Sequence, residues 1–558
     1  MVRARLTSLR VTVFVLVVCA APLGAQTREF DESIEYTYVG SVKDVQALPN
    51  GVTAVRCMNA TDEMLKALAA CSRIEQLDLY SNERITDEGV AILAALKNLR
   101  HLNLGYSPHL TKESIRSLAP LKNLTELDLS GLDHVADFRP VGQLKSLTDL
   151  RLHGGLTGIT TSATRYMRTL QYLSLGGYFD IGDEFEGWDK LESLNTLDLG
   201  GSEICDEALL SLKNTKVRKL NLSLCRGFSN DALAELIAAD FLESLSLQMI
   251  VTVDDSIIKA IGKATKLREL TLTIDGRVSD MAFEAWTDKL ALESLWIRAD
   301  FKDILKKATY EGPAKLGPAF SKALGRLPKL AKCVISGFDV LTDEDALRFI
   351  KPTLRSLTIA RCSLLTSKSI EPLRNSAIEK LDLHRLDTVS DKTLADLISS
   401  LDSLSELQIT DCGDAGSLLI RAIAGRKIGL KGFTFNSAQP LGKEEFSALG
   451  KCTSLQELTL LSGAGVNDDA LAALSNLNAL KVLKVTGSQI GPKGLAEISK
   501  MDQLTYLDLS NCKGIGTEDL VSLKSSSLHL LSLYGCPSVS AQAIEAWRKE
   551  NPRCKVLH

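Results

Sequence analysis

The sequence lacks the features by which composition reveals most specialised protein classes. Its 65 basic and 69 acidic residues leave a net charge of only −4, and neither sign forms a long block. A nucleic-acid-binding surface needs a basic stripe, so we predict no nucleic-acid partner. Apolar residues make up 45% of the 558 residues, which excludes a disordered chain.

Catalytic and metal-binding motifs are also missing. The sequence contains no P-loop, no H-E-x-x-H, no G-x-S-x-G and no EF-hand loop, and its seven histidines are dispersed. No C-x-x-C pair offers zinc ligands. Gly463-Ala464-Gly465 lacks the third glycine of a dinucleotide-binding fingerprint and is interpreted as a turn. We therefore predict a non-enzyme without catalytic residues, metal or cofactor.

Long hydrophobic runs are absent except at the beginning of the chain. Arg3, Arg5 and Arg10 precede the apolar stretch 11–21, and a small residue, Ala25, follows shortly after. This is typical of a secretory signal peptide at 1–25, which predicts a secreted, periplasmic or cell-surface protein with no membrane span after cleavage. Two alternatives stay open, a retained membrane anchor and lipid attachment at Cys19.

What the sequence has in abundance is leucine at a regular spacing of about 25 residues. Short apolar windows, mostly of the form Leu-x-Leu, recur twenty times, with a partial one at residue 556. They start at residues 55, 77, 102, 127, 150, 173, 197, 220, 245, 270, 295, 333, 357, 381, 407, 433, 458, 483, 507 and 531. A Ser/Thr/Asp/Asn cluster follows each, as in Ile85-Thr86-Asp87-Glu88, and then apolar residues at helical spacing. Each unit is therefore predicted to be a strand, a turn and a short capped helix.

This pattern resembles the leucine-rich-repeat superfamily. A cysteine five positions after the strand start and the run Glu88-Gly89-Val90-Ala91-Ile92-Leu93-Ala94 resemble its cysteine-containing and GALA-like subclass. The resemblance implies an α/β horseshoe, a right-handed solenoid with a parallel sheet on its concave face and helices on its convex face. We predict an N-terminal cap at 26–50, the array at 51–540, and a capping helix and strand at 541–558.

The cysteines follow the same repeat. Five of them share the position just named, and Cys57 and Cys333 replace inward leucines, so most are predicted to be core residues whose thiols donate weakly to the loop backbone. Cys512 and Cys536 occupy equivalent positions of adjacent repeats, which leaves a disulfide between them as the alternative.

Two places on the array are candidates for partner binding. The interval between windows 295 and 333 is 38 residues, so an insertion lies near 300–318, and Trp296, Arg298 and Tyr310 are adjacent to it or within it. Tryptophan and arginine are favoured interface anchors. Aspartates at the central strand position, including Asp382 beside His384, form an acidic strip that either binds a basic partner or a cation, or only solvates the sheet.

These features predict an exported monomer that binds a protein partner on its concave face. The alternative is an F-box-like substrate receptor of a ubiquitin ligase, which the resemblance also implies. That role requires a helical segment before the repeats, and residues 26–50 are few and polar.

Overall fold

The computed structural model describes residues 36–558, apart from 133–134, 136–137, 155–167, 178–179, 182–187, 189–190, 251, 300–311, 313 and 525–526. The predicted signal peptide, the first part of the predicted cap and Tyr310 lie outside the described residues. None of the described helices combines the length and the hydrophobicity needed to cross a bilayer.

Every predicted window is a β-strand. The strands are β1 (Thr37–Val39), β2 (Ala54–Cys57), β3 (Gln76–Asp78), β4 (His101–Asn103), β5 (Glu126–Asp128), β6 (Asp149–Arg151), β7 (Tyr172–Ser174), β8 (Asp180–Ile181), β9 (Thr196–Asp198), β10 (Glu203–Ile204), β11 (Lys219–Asn221), β12 (Ser244–Leu247), β13 (Glu269–Thr273), β14 (Ser294–Arg298), β15 (Lys332–Ser336), β16 (Ser356–Ala360), β17 (Lys380–His384), β18 (Glu406–Thr410), β19 (Gly432–Asn436), β20 (Glu457–Leu460), β21 (Val482–Lys484), β22 (Tyr506–Asp508), β23 (Leu530–Ser532) and β24 (Lys555–Leu557).

Twenty-two of these strands form one open, parallel sheet in chain order, and β8 and β10 pair with each other separately. The register places apolar residue against apolar residue, for example Leu245 beside Leu270 and Leu270 beside Leu295. Strand β1, within the predicted cap, pairs with β2 and so begins the sheet. The architecture is the α/β solenoid with one parallel sheet that the resemblance to leucine-rich repeats implies.

Helices run along the other side of most repeats. The α-helices are Val42–Gln46, Asp62–Ala69, Asp87–Ile92, Lys112–Ser117, Asp206–Ser211, Asn230–Ala238, Asp255–Ile261, Pro318–Arg326, Asp343–Phe349, Ser367–Ile370, Asp391–Ser400, Ser417–Ala424, Lys443–Leu449, Asp468–Leu474, Pro492–Ile498 and Ala541–Glu550. The 3₁₀ helices, of three to six residues, are Leu93–Ala95, Arg139–Gln143, Leu212–Asn214, Asp280–Ala285, Glu371–Leu373, Ser462–Ala464 and Thr517–Ser522. Helices are about 10 Å wide and strands lie about 4.8 Å apart, so the sheet is the concave side.

An aspartate at the beginning of a helix or 3₁₀ turn binds the start of the next helix. Asp87 accepts hydrogen bonds from the Thr111 amide at 2.8 Å and from the hydroxyls of Thr111 and Ser114. Asp280 accepts from the amides of Gly317 and Phe320, both at 2.9 Å, across the insertion. The extra residues therefore end before Gly317, where the ordinary repeat resumes. These bonds between repeats satisfy helix amides that would otherwise lack a partner.

The repeated leucines form one continuous core in which the cysteines take part. In the described residues all eleven cysteines are free thiols, and nine of them are buried. The five at the shared turn position donate to backbone carbonyls, as Cys512 does to Val485 at 3.2 Å and Cys536 to Leu509 at 3.1 Å. Burial raises the pKa of Cys333 to about 12, so its thiol stays protonated. The predicted core role of most cysteines agrees with this geometry.

Candidate functional site

The concave face is built from the strand side chains that point away from the core. In each strand one residue, here called the central residue, lies between two inward apolar residues. Successive central residues are neighbours across the sheet, as the register of Trp296 beside Val334 shows. They form a continuous row along the concave side.

In six of the three-residue strands the central residue holds the turn that follows the strand. The Asp78 carboxylate accepts the Tyr80 amide at 2.9 Å, and the Asp128 carboxylate accepts the Ser130 amide at 2.8 Å. The same bond from an amide two residues later recurs at Asn103, Asp198, Asn221 and Asp508. These side chains close the turn at the end of β3, β4, β5, β9, β11 and β22. The predicted acidic strip is therefore a set of turn residues at these positions.

Side chains along this part of the row also satisfy each other. Arg56 donates to Asp78 at 2.6 Å, and Asn221 donates to Asp198 at 2.7 Å. Ser174 donates to Asp198 at 3.2 Å. Both aspartates are more than 90% buried. Polar groups that already hold each other leave little for a partner to bind.

The seven strands β13–β19, here called the middle segment, differ because each is five residues long. Their central residues are Thr271, Trp296, Val334, Thr358, Asp382, Gln408 and Thr434. Strand pairing continues for two residues beyond each of them, so the main chain does not turn back toward the central side chain. The sequence did not single out Val334, Thr358, Gln408 or Thr434, although the apolar-polar alternation continuing through each window was the available signal.

Asp382 is the clearest example of a central side chain that closes no turn. It is flanked across the sheet by Thr358 and Gln408, and one of its carboxylate oxygens, Oδ1, is buried without a hydrogen-bond partner. Burial raises the pKa of Asp382 to about 7. A carboxylate in this state is suited to accept a hydrogen bond or a positive charge from another molecule.

The remaining predicted residues share this face. His384 contacts Thr410, with 2.5 Å between His Nδ1 and Thr Oγ1. Trp296 and Arg298 are half-buried on β14. Three strand spacings separate β14 from β17, about 14 Å. The structure therefore places the two predicted pairs on one surface, three strands apart, and Tyr310 lies outside the described residues.

The rim of the middle segment carries charge. The sheet edge just after β16, β17 and β18 holds Arg361, Arg385 and Asp411, all with positive φ of 50–54°. Arg385 Nε lies 3.8 Å from Asp411 Oδ2. A left-handed residue other than glycine costs about 1 kcal/mol, so three consecutive repeats keep a charged side chain where glycine would be less strained.

Among the residues that the structure describes, no three His, Cys, Asp or Glu side chains gather as metal ligands.

Comparisons with known proteins concern the fold. Residues 504–524 match the family model described as Leucine Rich repeat. A solved structure of the TLR13–ssRNA13 complex is similar to 93% of this chain and 83% of that chain, with 14% identity and a TM-score of 0.45. An LRR protein of Leptospira interrogans is similar over 90% of this chain and 99% of that chain, with 17% identity and a TM-score of 0.30. The fold assignment rests on the parallel sheet and repeated coils of the chain itself.

Proposed function

We propose that this leucine-rich-repeat chain is an exported, non-enzymatic recognition protein that binds a protein partner on the concave face of its middle segment. The observation that carries the proposal is the change in the central row. Six central Asp and Asn residues of the short strands close turns, whereas Asp382, the one Asp or Asn in the central row of β13–β19, has a buried carboxylate oxygen without a hydrogen-bond partner in the described structure.

The size and chemistry of the middle segment suit a protein partner. Seven strands of five residues span about 34 Å by 16 Å, a substantial part of the roughly 800 Å² that each partner buries in a standard interface. Trp296 provides an aromatic anchor and Asp382 an acceptor, with Thr358 and Val334 between them. A mixed apolar and polar surface with one aromatic anchor is the usual composition of a protein-binding site.

Export and the cysteine-containing subclass belong to the proposal as well. The arginine-rich apolar beginning of the sequence supports export. Five cysteines at one turn position, each donating to a backbone carbonyl, support the subclass. The ubiquitin-ligase alternative gains no support, because β1 joins the sheet and residues 36–50 are thus part of the solenoid.

The experiment is a comparative capture of partners by residues 26–558. Wild-type protein, Trp296→Ala and the convex-face control Lys322→Ala are immobilised and exposed to extracellular material from the source organism. We expect one protein to be retained by wild type and by Lys322→Ala, and at least tenfold less by Trp296→Ala. A partner retained equally by all three proteins would contradict the proposal. Binding of a separately added single-stranded RNA probe, with no protein retained, would also contradict it.

A further inference from the structure

The two ends of the array touch each other. The ring of Tyr38 in β1 stacks on the ring of His529, which directly precedes β23, with centroids 3.7 Å apart and planes 10° from parallel. Arg553, which precedes β24, lies 3.2 Å from the Asp44 carboxylate. Residues about 500 positions apart in sequence are therefore in direct contact.

The backbones of the two ends also approach closely. A Cβ atom built on Gly40 would lie 1.7 Å from the carbonyl oxygen of Pro552, so only glycine fits there. Lys555 in β24 places its ammonium 5.5 Å from the centroid of the Tyr80 ring. An exposed ion pair alone contributes little, but a stack, a cation-π contact, an ion pair and a backbone contact together form an interface.

The charge states suit this interface. Burial lowers the pKa of His529 to about 4, with Arg553 and Arg56 adding repulsion, so its imidazole is neutral when it stacks on Tyr38. Burial alone would raise the pKa of Asp44. Hydrogen bonds from Gly40, Ser41 and Arg553 outweigh burial and lower it, so Asp44 is ionised opposite Arg553.

In this parallel sheet all strands begin at one edge and end at the other, and the contacts between the two ends of the array join these opposite edges. On the C-terminal side, His529, Pro552 and Arg553 come before their strands. On the N-terminal side, Gly40 and Asp44 come after β1. The last coils therefore rest on the first by their edges, and β1 and β24, the outermost of the described strands, do not pair, so the sheet stays open. The array completes one turn.

The number of strands sets the size of the central opening. Twenty-two strands about 4.8 Å apart give a perimeter of about 105 Å and a diameter of about 34 Å at the backbone. A side-chain layer of about 5 Å on each side leaves about 24 Å. An α-helix about 10–12 Å wide passes through this opening. A 100-residue domain, about 34 Å across from its radius of gyration, does not.

We propose that contact between the first and last coils closes the solenoid into a ring whose concave face admits a helical or extended polypeptide segment and excludes a folded domain. The segment bears a basic side chain for Asp382, whose buried oxygen lacks a partner. The identity of the occupant rests on the proposed protein-binding function. The ring itself does not.

Cross-linking tests the ring without any partner. Asp44→Cys/Arg553→Cys is treated with a short bismaleimide, and the control Asp44→Cys/Lys322→Cys pairs the same end with an exposed site on the helix Pro318–Arg326. We expect the first pair to form an intramolecular cross-link at least tenfold faster than the second, with the wild-type chain as background. Equal rates would overturn the ring.

Glycine substitutions make the same test specific to the contact. Adding Gly40→Ala to the cross-linking pair should slow its reaction several-fold, because a Cβ meets Pro552. Adding Gly51→Ala should not, since a Cβ at Gly51 has no atom within 4 Å. Circular dichroism confirms that each variant is folded. An unchanged rate in the folded Gly40→Ala variant would show that the two ends do not meet there.

Labelling tests the exclusion of folded domains. Thr434→Cys on the concave face is treated with N-ethylmaleimide or with a maleimide on a folded protein of about 100 residues, each rate being normalised to Lys322→Cys. We expect the protein-borne maleimide to react at least tenfold more slowly at Thr434→Cys than at Lys322→Cys, and N-ethylmaleimide to show no such difference. Adding Gly40→Ala, which disturbs the contact between the two ends, should restore much of the rate of the protein-borne reagent at Thr434→Cys. Equal normalised rates would overturn exclusion. A confirmed ring that captures no partner would instead count against the proposed function.

Discussion

Replacing Asp382 by asparagine should stabilise the protein at neutral and alkaline pH. In the folded chain the buried oxygen has no hydrogen-bond partner, and burial raises the pKa from its ordinary value of 3.8 to about 7. Because the folded-state pKa is above the unfolded one, the native chain binds more protons between these two values. Stability is therefore lost as the pH rises from about 4 to about 7, and the loss is complete above that range.

The size of the effect follows from the shift. At about 1.36 kcal/mol per unit, the full shift corresponds to about 4 kcal/mol. Water reaches part of the half-buried side chain, so we expect Asp382→Asn to be about 2 kcal/mol more stable than wild type at pH 8. At pH 4 the aspartate is protonated and as neutral as asparagine, so the difference should vanish.

Urea unfolding at pH 4, 6 and 8 measures this difference, and Asp508→Asn is the matched control. Asp508 accepts the Ser510 amide, and asparagine accepts the same bond at Asn103 and Asn221, so the control should change stability by no more than about 0.5 kcal/mol. The reasoning would be refuted if the unfolding free energy of Asp382→Asn equalled that of wild type at every pH, or was lower than that of wild type at pH 8.

Three further outcomes are expected. Asp280→Ala should lower stability by about 1–2 kcal/mol in urea unfolding, because the amides of Gly317 and Phe320 lose their acceptor, whereas Glu284→Ala on the same 3₁₀ turn should change it by under about 0.5 kcal/mol. Residues 36–558 should show eleven free thiols when denatured and few reactive ones when native, as measured with a thiol reagent; fewer thiols on denaturation would indicate a disulfide. Trp296→Ala should retain wild-type stability within about 1 kcal/mol while losing the captured partner, and partner loss accompanied by unfolding would remove Trp296 as an anchor.

The fold was predictable because the same requirement, burial of the inward leucines, acts in every repeat. Leucines facing inward must be covered, and no single coil can cover them alone, so the spacing predicts stacked coils. All twenty windows became strands for that reason. The contact of Tyr38 with His529 was not predictable, since it depends on a small rotation per repeat summed over the whole array, which the sequence pattern does not express.

The helix starts were predicted only in part. The pattern at Thr86-Asp87 indicates a helix cap, and the structure confirms the helix Asp87–Ile92. The pattern does not show that Asp87 serves the following repeat, through Thr111 and Ser114. A cap motif describes hydrogen bonds within a few residues, whereas this bond joins positions 24 apart that become neighbours only when the coils stack.

The aspartates of the concave row show the same limit at the candidate site. Leu77-Asp78-Leu79 and Leu381-Asp382-Leu383 have the same sequence pattern, yet Asp78 closes a turn and Asp382 Oδ1 has no partner. The difference lies in the neighbouring strands: β16, β17 and β18 all pair through their fifth residue, which keeps the chain extended beyond Asp382. The aspartate proposed to bind a partner therefore differs from the turn-closing one through strand length shared across adjacent repeats, and only the assembled sheet distinguishes them.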